Sequence, residues 1–313
     1  MTYVFFGSTE FSKNVLERLY GSGLIPTCVI TSPPKLQGRH QIQTPTPVDL
    51  WAKKHMISVL TPDKLDDNFI QSLKNLKPDL AVLVAYGKII PKQVLNIPLH
   101  GILNLHPSLL PKWRGASPIQ VSILAKDKET GATVMLLDEQ MDHGPILDQI
   151  KTDSANQSYP HLSEKLSILG ADLLIKTIPL WLTGKITPAI QDEDKSTYCK
   201  KIKTIDGLIN WSFDNDSIIS QILAYNPNPG TYTNIKHQNK DIILKILSAQ
   251  ISKEENPKLN PGDFFKNEKQ ELLIQCKSGA IVLDIVQPSG KKPMSGSQYL
   301  RGHNWLIQNE KNN

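Results

Sequence analysis

The seven residues Leu80-Ala81-Val82-Leu83-Val84-Ala85-Tyr86 form an almost unbroken apolar run that stops at Gly87. A short strand that is apolar on both faces has to be covered on both, as central strands of parallel sheets are. Upstream, Tyr3-Val4-Phe5-Phe6 and Thr27-Cys28-Val29-Ile30-Thr31 read as two more strands. A helix through about Tyr20 lies between them, entered through Gly7-Ser8-Thr9-Glu10 with its N-cap candidates. Helices over 48–55 and 66–76 flank a strand at Ser58-Val59-Leu60, and Phe69, Ile70, Leu73 and Leu76 mark the inner face of the second helix. This alternation predicts an α/β domain with a parallel sheet and right-handed crossovers. The lone Gly7 is not a three-glycine dinucleotide fingerprint and argues against a nicotinamide cofactor.

Further along, 118–126 reads as a helix with Ile119, Ile123 and Leu124 inward, and Ala132-Thr133-Val134-Met135-Leu136-Leu137 reads as a strand. Residues 147–152 read as another strand. A long amphipathic pattern over 161–181, with Leu162, Leu166, Leu169, Leu173 and Leu174, closes the first domain. Residues 32–47 carry four prolines and no period, so they read as a surface loop. The charged stretch 183–206, which contains Pro188 and lacks a period, reads as a linker. Beyond it come a helix over 217–225 and short strands at 231–235, 242–247, 272–276 and 281–286. A helix near 296–302 completes a pattern that suits a small OB-type β-barrel. The expected division is therefore 1–183, a linker over 184–206, and 207–313.

A chain of 313 residues is comfortable as two domains. Its net charge of +5 permits a nucleic-acid partner without demanding one. Three widely spaced cysteines, Cys28, Cys199 and Cys276, suggest neither a disulfide framework nor a metal knuckle and fit a reducing compartment. The N-terminal segment lacks a basic n-region, and the longest apolar run is too short to span a bilayer, so a cytoplasmic protein without a membrane partner is expected.

The chemistry is expected between Asn104 and Asp142. Gly101-Ile102-Leu103-Asn104-Leu105-His106 ends at Pro107, which pushes its predecessor into an extended conformation and marks a strand end. Residues two apart on a strand share a face, so Asn104 and His106 point together while Leu103 and Leu105 enter the opposite layer. Ligands of open α/β sheets bind at such strand ends. Asp142 follows the strand at 132–137 closely enough to meet the imidazole. A His–Asp unit supplies acid–base chemistry and an Asn amide can donate to a developing oxyanion, which are parts for acyl transfer without a covalent enzyme intermediate. No nucleophile elbow occurs nearby. Two alternatives stay open on spacing alone: Asn104 and His106 satisfying local backbone groups beside a proline turn, or a metal held by His106, Asp142 and His143.

The string Asn104-x-His106-x-Ser108-Leu109-Leu110-Pro111-x-x-Arg114-Gly115, with Met141-Asp142-x-Gly144-Pro145-Ile146-Leu147, closely resembles the signature of formyltransferases that use 10-formyltetrahydrofolate. Thr197 to Ile202, Asp206 to Trp211 and Gly290 to Gly296 resemble the inter-domain and C-terminal regions of the branch acting on methionyl-tRNA, so the likeness covers nearly the whole chain. It implies a Rossmann-like catalytic domain followed by an OB-type barrel. It also implies transfer of a formyl group from 10-formyltetrahydrofolate to the α-amine of methionyl initiator tRNA, with folate and tRNA as partners, no metal, and a monomer.

In that reading Asn104 steadies the oxyanion, His106 shuttles a proton, and Asp142 orients His106 and favours its charged form. Tyr86, Gly87, Lys88 and Ile89, with Ser108, Leu109, Leu110 and Pro111, line the folate pocket. Lys35, Arg39, Arg114, Lys200, Lys291 and Lys292 contact tRNA. The loop over 32–47 keeps Gly38-Arg39 but lacks the Asp-Arg-Pro pattern of the family, and Gln140 and His143 replace a usual glycine and threonine. The rivals are a formyltransferase acting on an amino sugar nucleotide and a catalytically silent nucleic-acid-binding relative.

Overall fold

The computed structural model describes residues 1–37, 41–238 and 240–311. It opens with β1 (Tyr3–Gly7), α1 (Glu10–Gly21) and β2 (Cys28–Ile30). Thr9 caps α1: its hydroxyl takes the Ser12 N–H while the Ser12 side chain returns to the cap, which satisfies two otherwise orphaned donors. A hairpin of β3 (Lys35–Gln37) and β4 (Ile42–Thr44) follows, where proline content had predicted a loop alone. Next come α2 (Pro47–Lys54), β5 (Ser58–Leu60), α3 (Asp67–Asn75) and β6 (Leu80–Val84). They are followed by the single turn α4 (Lys92–Leu95), β7 (Ile102–His106) and the two-residue β8 (Arg114–Gly115). Next in the chain are the helix α5 (Pro118–Leu124), the strands β9 (Glu129–Leu136) and β10 (Ile146–Asp153), and the long helix α6 (Tyr159–Leu182).

The main sheet has the order β10-β9-β7-β6-β1-β2-β5. Its five strands from β7 to β5 are parallel, and their connections include α1 to α4. The two outer pairings, β7 with β9 and β9 with β10, are antiparallel, a departure from an all-parallel sheet in which β9 runs against the other six strands. The apolar run that anchored the reading is the sheet's middle: β6 pairs with β1 on one side and β7 on the other. Val4, Phe6, Cys28, Ile30, Ala81 and Ile102 meet Phe69, Leu73 and Val94 in one core layer. On the other face, a Cβ built on Gly170 of α6 would fall 2.7 Å from the Leu105 side chain, so the helix lies directly on β7 there.

Contacts divide the chain into two compact units. The first comprises Met1–Pro118, Glu129–Asp153 and His161–Lys200; the second comprises Ile119–Lys128, Ser154–Pro160 and everything from Lys201 onward. Residues up to Lys200, read from sequence as linker, thus pack with the first unit. The reason is local pairing: Ala189 bridges Ile146, and the short strand β11 (Tyr198–Cys199) runs parallel to β8.

The second unit contains α7 (Asn215–Tyr225), β12 (Thr231–His237), β13 (Lys240–Ile251), β14 (Phe264–Lys266), β15 (Leu272–Gln275), β16 (Ala280–Pro288), β17 (Met294–Ser295) and α8 (Gly296–Gly302). Its antiparallel sheet runs β12-β13-β16-β15-β14, with β17 beside β16. Ile218 and Ile222 of α7 close the apolar face over Leu244, Ile246, Ile274 and Ile281. A groove of about 480 Å³ in this unit is lined by Trp211, His237, Phe264 and Trp305 among others. Among the described residues no helix is long and apolar enough to cross a membrane.

Candidate active site

Because Leu105 faces α6, the alternation of β7 turns Asn104 and His106 to the other side of the sheet. Both are buried, at 5% and 4% exposure. The turn between β9 and β10 brings Asp142 to them. Its Oδ1 accepts from Asn104 Nδ2 at 3.3 Å and stands 3.6 Å from His106 Nδ1; its Oδ2 accepts the Gly115 N–H at 2.8 Å. The other ring nitrogen, His106 Nε2, lies 2.9 Å from the Trp113 carbonyl oxygen. A carbonyl can only accept, so that contact assigns the hydrogen to Nε2 and leaves Nδ1 turned toward Asp142. At 3.6 Å no hydrogen bond joins ring and carboxylate. Trp113, and not Asp142 as expected, therefore supplies the hydrogen bond that orients the imidazole.

The loop carrying Trp113 is held on several sides. Ser108 Oγ donates to the Lys112 carbonyl at 2.6 Å, and Thr133 Oγ1 donates to the Ser108 carbonyl and accepts the Leu110 N–H. Trp113 and Arg114 give their N–H groups to the hydroxyl and carbonyl of Thr197. Asp142 has a left-handed backbone with φ 51. A non-glycine residue persists there only where its surroundings fix it.

Arg114 corrects one expectation. Its side chain is fully buried, and all five guanidinium hydrogens have partners: Gln191 Oε1 from Nε and Nη2, the two Glu193 oxygens from Nη2 and Nη1, and Tyr198 Oη from Nη1. With no donor and no surface left for a phosphate, it is a structural residue and no tRNA contact. Its guanidinium holds the Glu193 carboxyl below the ordinary carboxylate range, chiefly through the hydrogen bond between them.

The residues expected at the folate divide in two. Tyr86 packs its ring edgewise on Phe6, and the Ser108 and Leu110 side chains are buried, so these three offer mainly backbone. Lys88 is tied to the carbonyls of Pro62 and Asp63. Ile89, by contrast, is 84% exposed beyond Gly87, whose φ is 84. Leu109 and Pro111 are half-buried. The register of Leu83 opposite Asn104 sets the 85–89 loop beside the end of β7. Lys35, Lys200, Lys291 and Lys292 are exposed, whereas Arg39 lies outside the described residues.

His143 does not join His106. Its Nδ1 lies 2.6 Å from Asp138 Oδ2 and its Nε2 3.5 Å from Glu193 Oε1. Among the described residues, no group of three or more His, Cys, Asp or Glu side chains could hold a metal ion. Gln191, Trp113 and Gly115 were not foreseen. Two of them act through main-chain atoms that carry no side-chain signal, and Gln191 sits in a stretch without period.

An amide donor, an imidazole with one ring nitrogen uncommitted to the backbone, and a carboxylate thus converge at the carboxyl end of a central strand. Residues 1–178 match the family model described as Formyl transferase, and residues 201–304 match the Formyl transferase C-terminal domain, which makes the class of protein a formyltransferase. The methionyl-tRNA formyltransferase of Bacillus subtilis (strain 168) is 38% identical over 303 residues, covering 96% of this chain and 94% of that one. That of Dictyoglomus thermophilum is 36% identical over 308 residues, covering 97% of each. The chain belongs to the methionyl-tRNA formyltransferase family.

Two solved structures share the fold. One is an N-formyltransferase from Helicobacter canadensis, solved with folinic acid and dTDP-3-aminofucose, with TM-score 0.65, 19% identity, and coverage of 92% of this chain and 99% of that one. The other is HypX from Aquifex aeolicus in complex with tetrahydrofolic acid, with TM-score 0.65, 16% identity and 96% of this chain covered; the match spans only 47% of HypX.

Proposed function

We propose that this chain transfers the formyl group of 10-formyltetrahydrofolate to the α-amino group of methionyl initiator tRNA, in support of translation initiation, and that Asn104, His106 and Asp142 are its catalytic residues. The observation that carries the reading is the convergence of Asn104 and His106 on Asp142, at 3.3 and 3.6 Å, in a chain related over nearly its full length to methionyl-tRNA formyltransferases.

The donor supplies an already activated formyl group, so the protein's task is placement and proton management. An Asn amide nitrogen carries two hydrogens; one of Asn104 lies on Asp142 and the other serves the oxygen on which negative charge develops. His106 takes the proton released by the attacking amine on Nδ1, its Nε2 being committed to Trp113, and passes it to the departing nitrogen. Asp142 holds that transferred proton's charge from 3.6 Å.

The folate is held by the backbone of Tyr86 and Gly87, the exposed Ile89 and the half-buried Leu109 and Pro111, with Lys88, Ser108 and Leu110 shaping the loops behind them. Lys35, Arg39, Lys200, Lys291 and Lys292 meet tRNA phosphates. The functional division is a catalytic domain over 1–183, a connection over 184–206 and a tRNA-binding domain over 207–313, the last an OB-type barrel. The protein acts as a cytoplasmic monomer without a metal.

The test offers methionyl-tRNA and a panel of amino sugar nucleotides as competing acceptors with 10-formyltetrahydrofolate as donor. Formyl-methionyl-tRNA as the dominant product supports the reading. Formylated sugar would replace the acceptor, and no transfer to either would overturn it.

A further inference from the structure

We infer that Gln191 is a positioning residue for the reaction proposed above, fixing Asp142 from the backbone side. It lies between two anchor points: Ala189 exchanges both backbone hydrogen bonds with Ile146 at 2.8 Å, and β11 pairs with Arg114 and Gly115. The side chain between them is 5% exposed. Its Nε2 donates to the carbonyl oxygens of Asp142 at 2.9 Å and Gly144 at 2.7 Å, while its Oε1 accepts from Arg114 Nε at 3.0 Å and Nη2 at 2.9 Å.

The partners settle the orientation of the amide. Two carbonyls can only accept and a guanidinium can only donate, so a flipped amide would mismatch all four contacts. Every hydrogen-bonding position of the group is therefore filled.

Asp142 has to be held twice. Its carboxylate is fixed by Asn104 and by the Gly115 N–H, and its left-handed main chain is fixed through the carbonyl that Gln191 grips. The same amide binds Arg114, whose neighbour Gly115 supplies that N–H. One side chain thus ties together both loops that meet at the Asp142 carboxylate. None of these hydrogen bonds goes to Asn104 or His106, so its effect on turnover passes through Asp142. A glutamate in its place would set an acceptor-only carboxylate against two carbonyl oxygens while keeping the acceptor that Arg114 uses.

Formyl transfer to methionyl-tRNA is measured for the native enzyme, Gln191→Glu and Gln191→Met, with kcat and KM for both substrates, and with circular dichroism to establish folding. Displacing a catalytic group by a fraction of its length costs on the order of 100-fold. We expect a loss of that size in kcat for Gln191→Glu, with both KM values within about twofold of native. Gln191→Met, neutral and of similar length, should lose less; should Gln191→Glu not fold, a kcat loss at constant KM in Gln191→Met carries the test. Near-native kcat in a folded variant or a loss residing in KM would overturn the assignment. A native enzyme that formylates no methionyl-tRNA would instead remove the reaction itself.

Discussion

His106 Nδ1 stands 3.6 Å from Asp142 Oδ1 while the opposite ring nitrogen is hydrogen-bonded to the Trp113 carbonyl at 2.9 Å. The division of labour follows from that pair of distances. The backbone aims the ring, and in the reaction proposed above the carboxylate provides charge beside the nitrogen that would exchange the proton. A carboxylate outside hydrogen-bonding range acts on the proton's energy more than on the ring's orientation.

Replacing the carboxylate with its amide isostere tests its contribution while leaving the Trp113 hydrogen bond to the ring in place. In Asp142→Asn the one remaining oxygen still meets the Gly115 N–H, so the turn should keep its shape, while the new NH2 faces the Asn104 amide nitrogen and the Asn104 hydrogen bond is lost together with the charge. We expect unchanged circular dichroism and a kcat reduced about 10²- to 10⁴-fold, the range general acid–base groups contribute. Steady-state formylation of methionyl-tRNA checks it; a kcat within tenfold of native would show that the charge is dispensable.

The Arg114–Glu193 pair predicts a pH dependence of stability. Glu193 titrates lower in the folded than in the unfolded chain, mainly because Arg114 donates to it. Its contribution is therefore present above the ordinary carboxylate range and is lost as pH falls through that range and below. Glu193 is largely solvent-exposed, so the effect is modest. Urea unfolding of native protein and Glu193→Gln should show a stability gap at neutral pH that closes in acid; a gap that widens in acid would contradict the pairing.

Gly144 sits where a side chain has no room. A Cβ there would fall 1.8 Å from the Leu136 carbonyl oxygen, and one on Gly115, at φ 114, would fall 2.2 Å from that of Cys199. Both clashes are with backbone, which cannot rotate away. Gly144→Ala should lower stability by about 1–3 kcal/mol and reduce kcat by moving Asp142. Differential scanning calorimetry beside activity measurements checks both, and a native-like Tm would refute the fit.

The sequence carries much of this arrangement in its pattern. The run at Leu80–Tyr86 announced a central strand because burial on both faces leaves a continuous apolar pattern, and the two-residue period of β7 placed Asn104 and His106 on one surface. What periodicity could not show lay in segments that have none. The β3–β4 pair is one short antiparallel pairing flanked by prolines, and the stretch around Gln191 is held by its amide and two brief strand contacts. Arg114 misled for a related reason: the sequence displays its charge but not its neighbours, and burial with five hydrogen bonds turns a phosphate candidate into a brace.

In the proposed reaction His106 carries the proton during direct formyl transfer. The measurement that meets it head-on is single-turnover transfer of labelled formyl from 10-formyltetrahydrofolate to methionyl-tRNA by native enzyme and His106→Ala, each saturated with both substrates. The account predicts a rate for the variant lower by about 100-fold or more, with normal folding and normal substrate binding. A single-turnover rate equal to that of the native enzyme would contradict it.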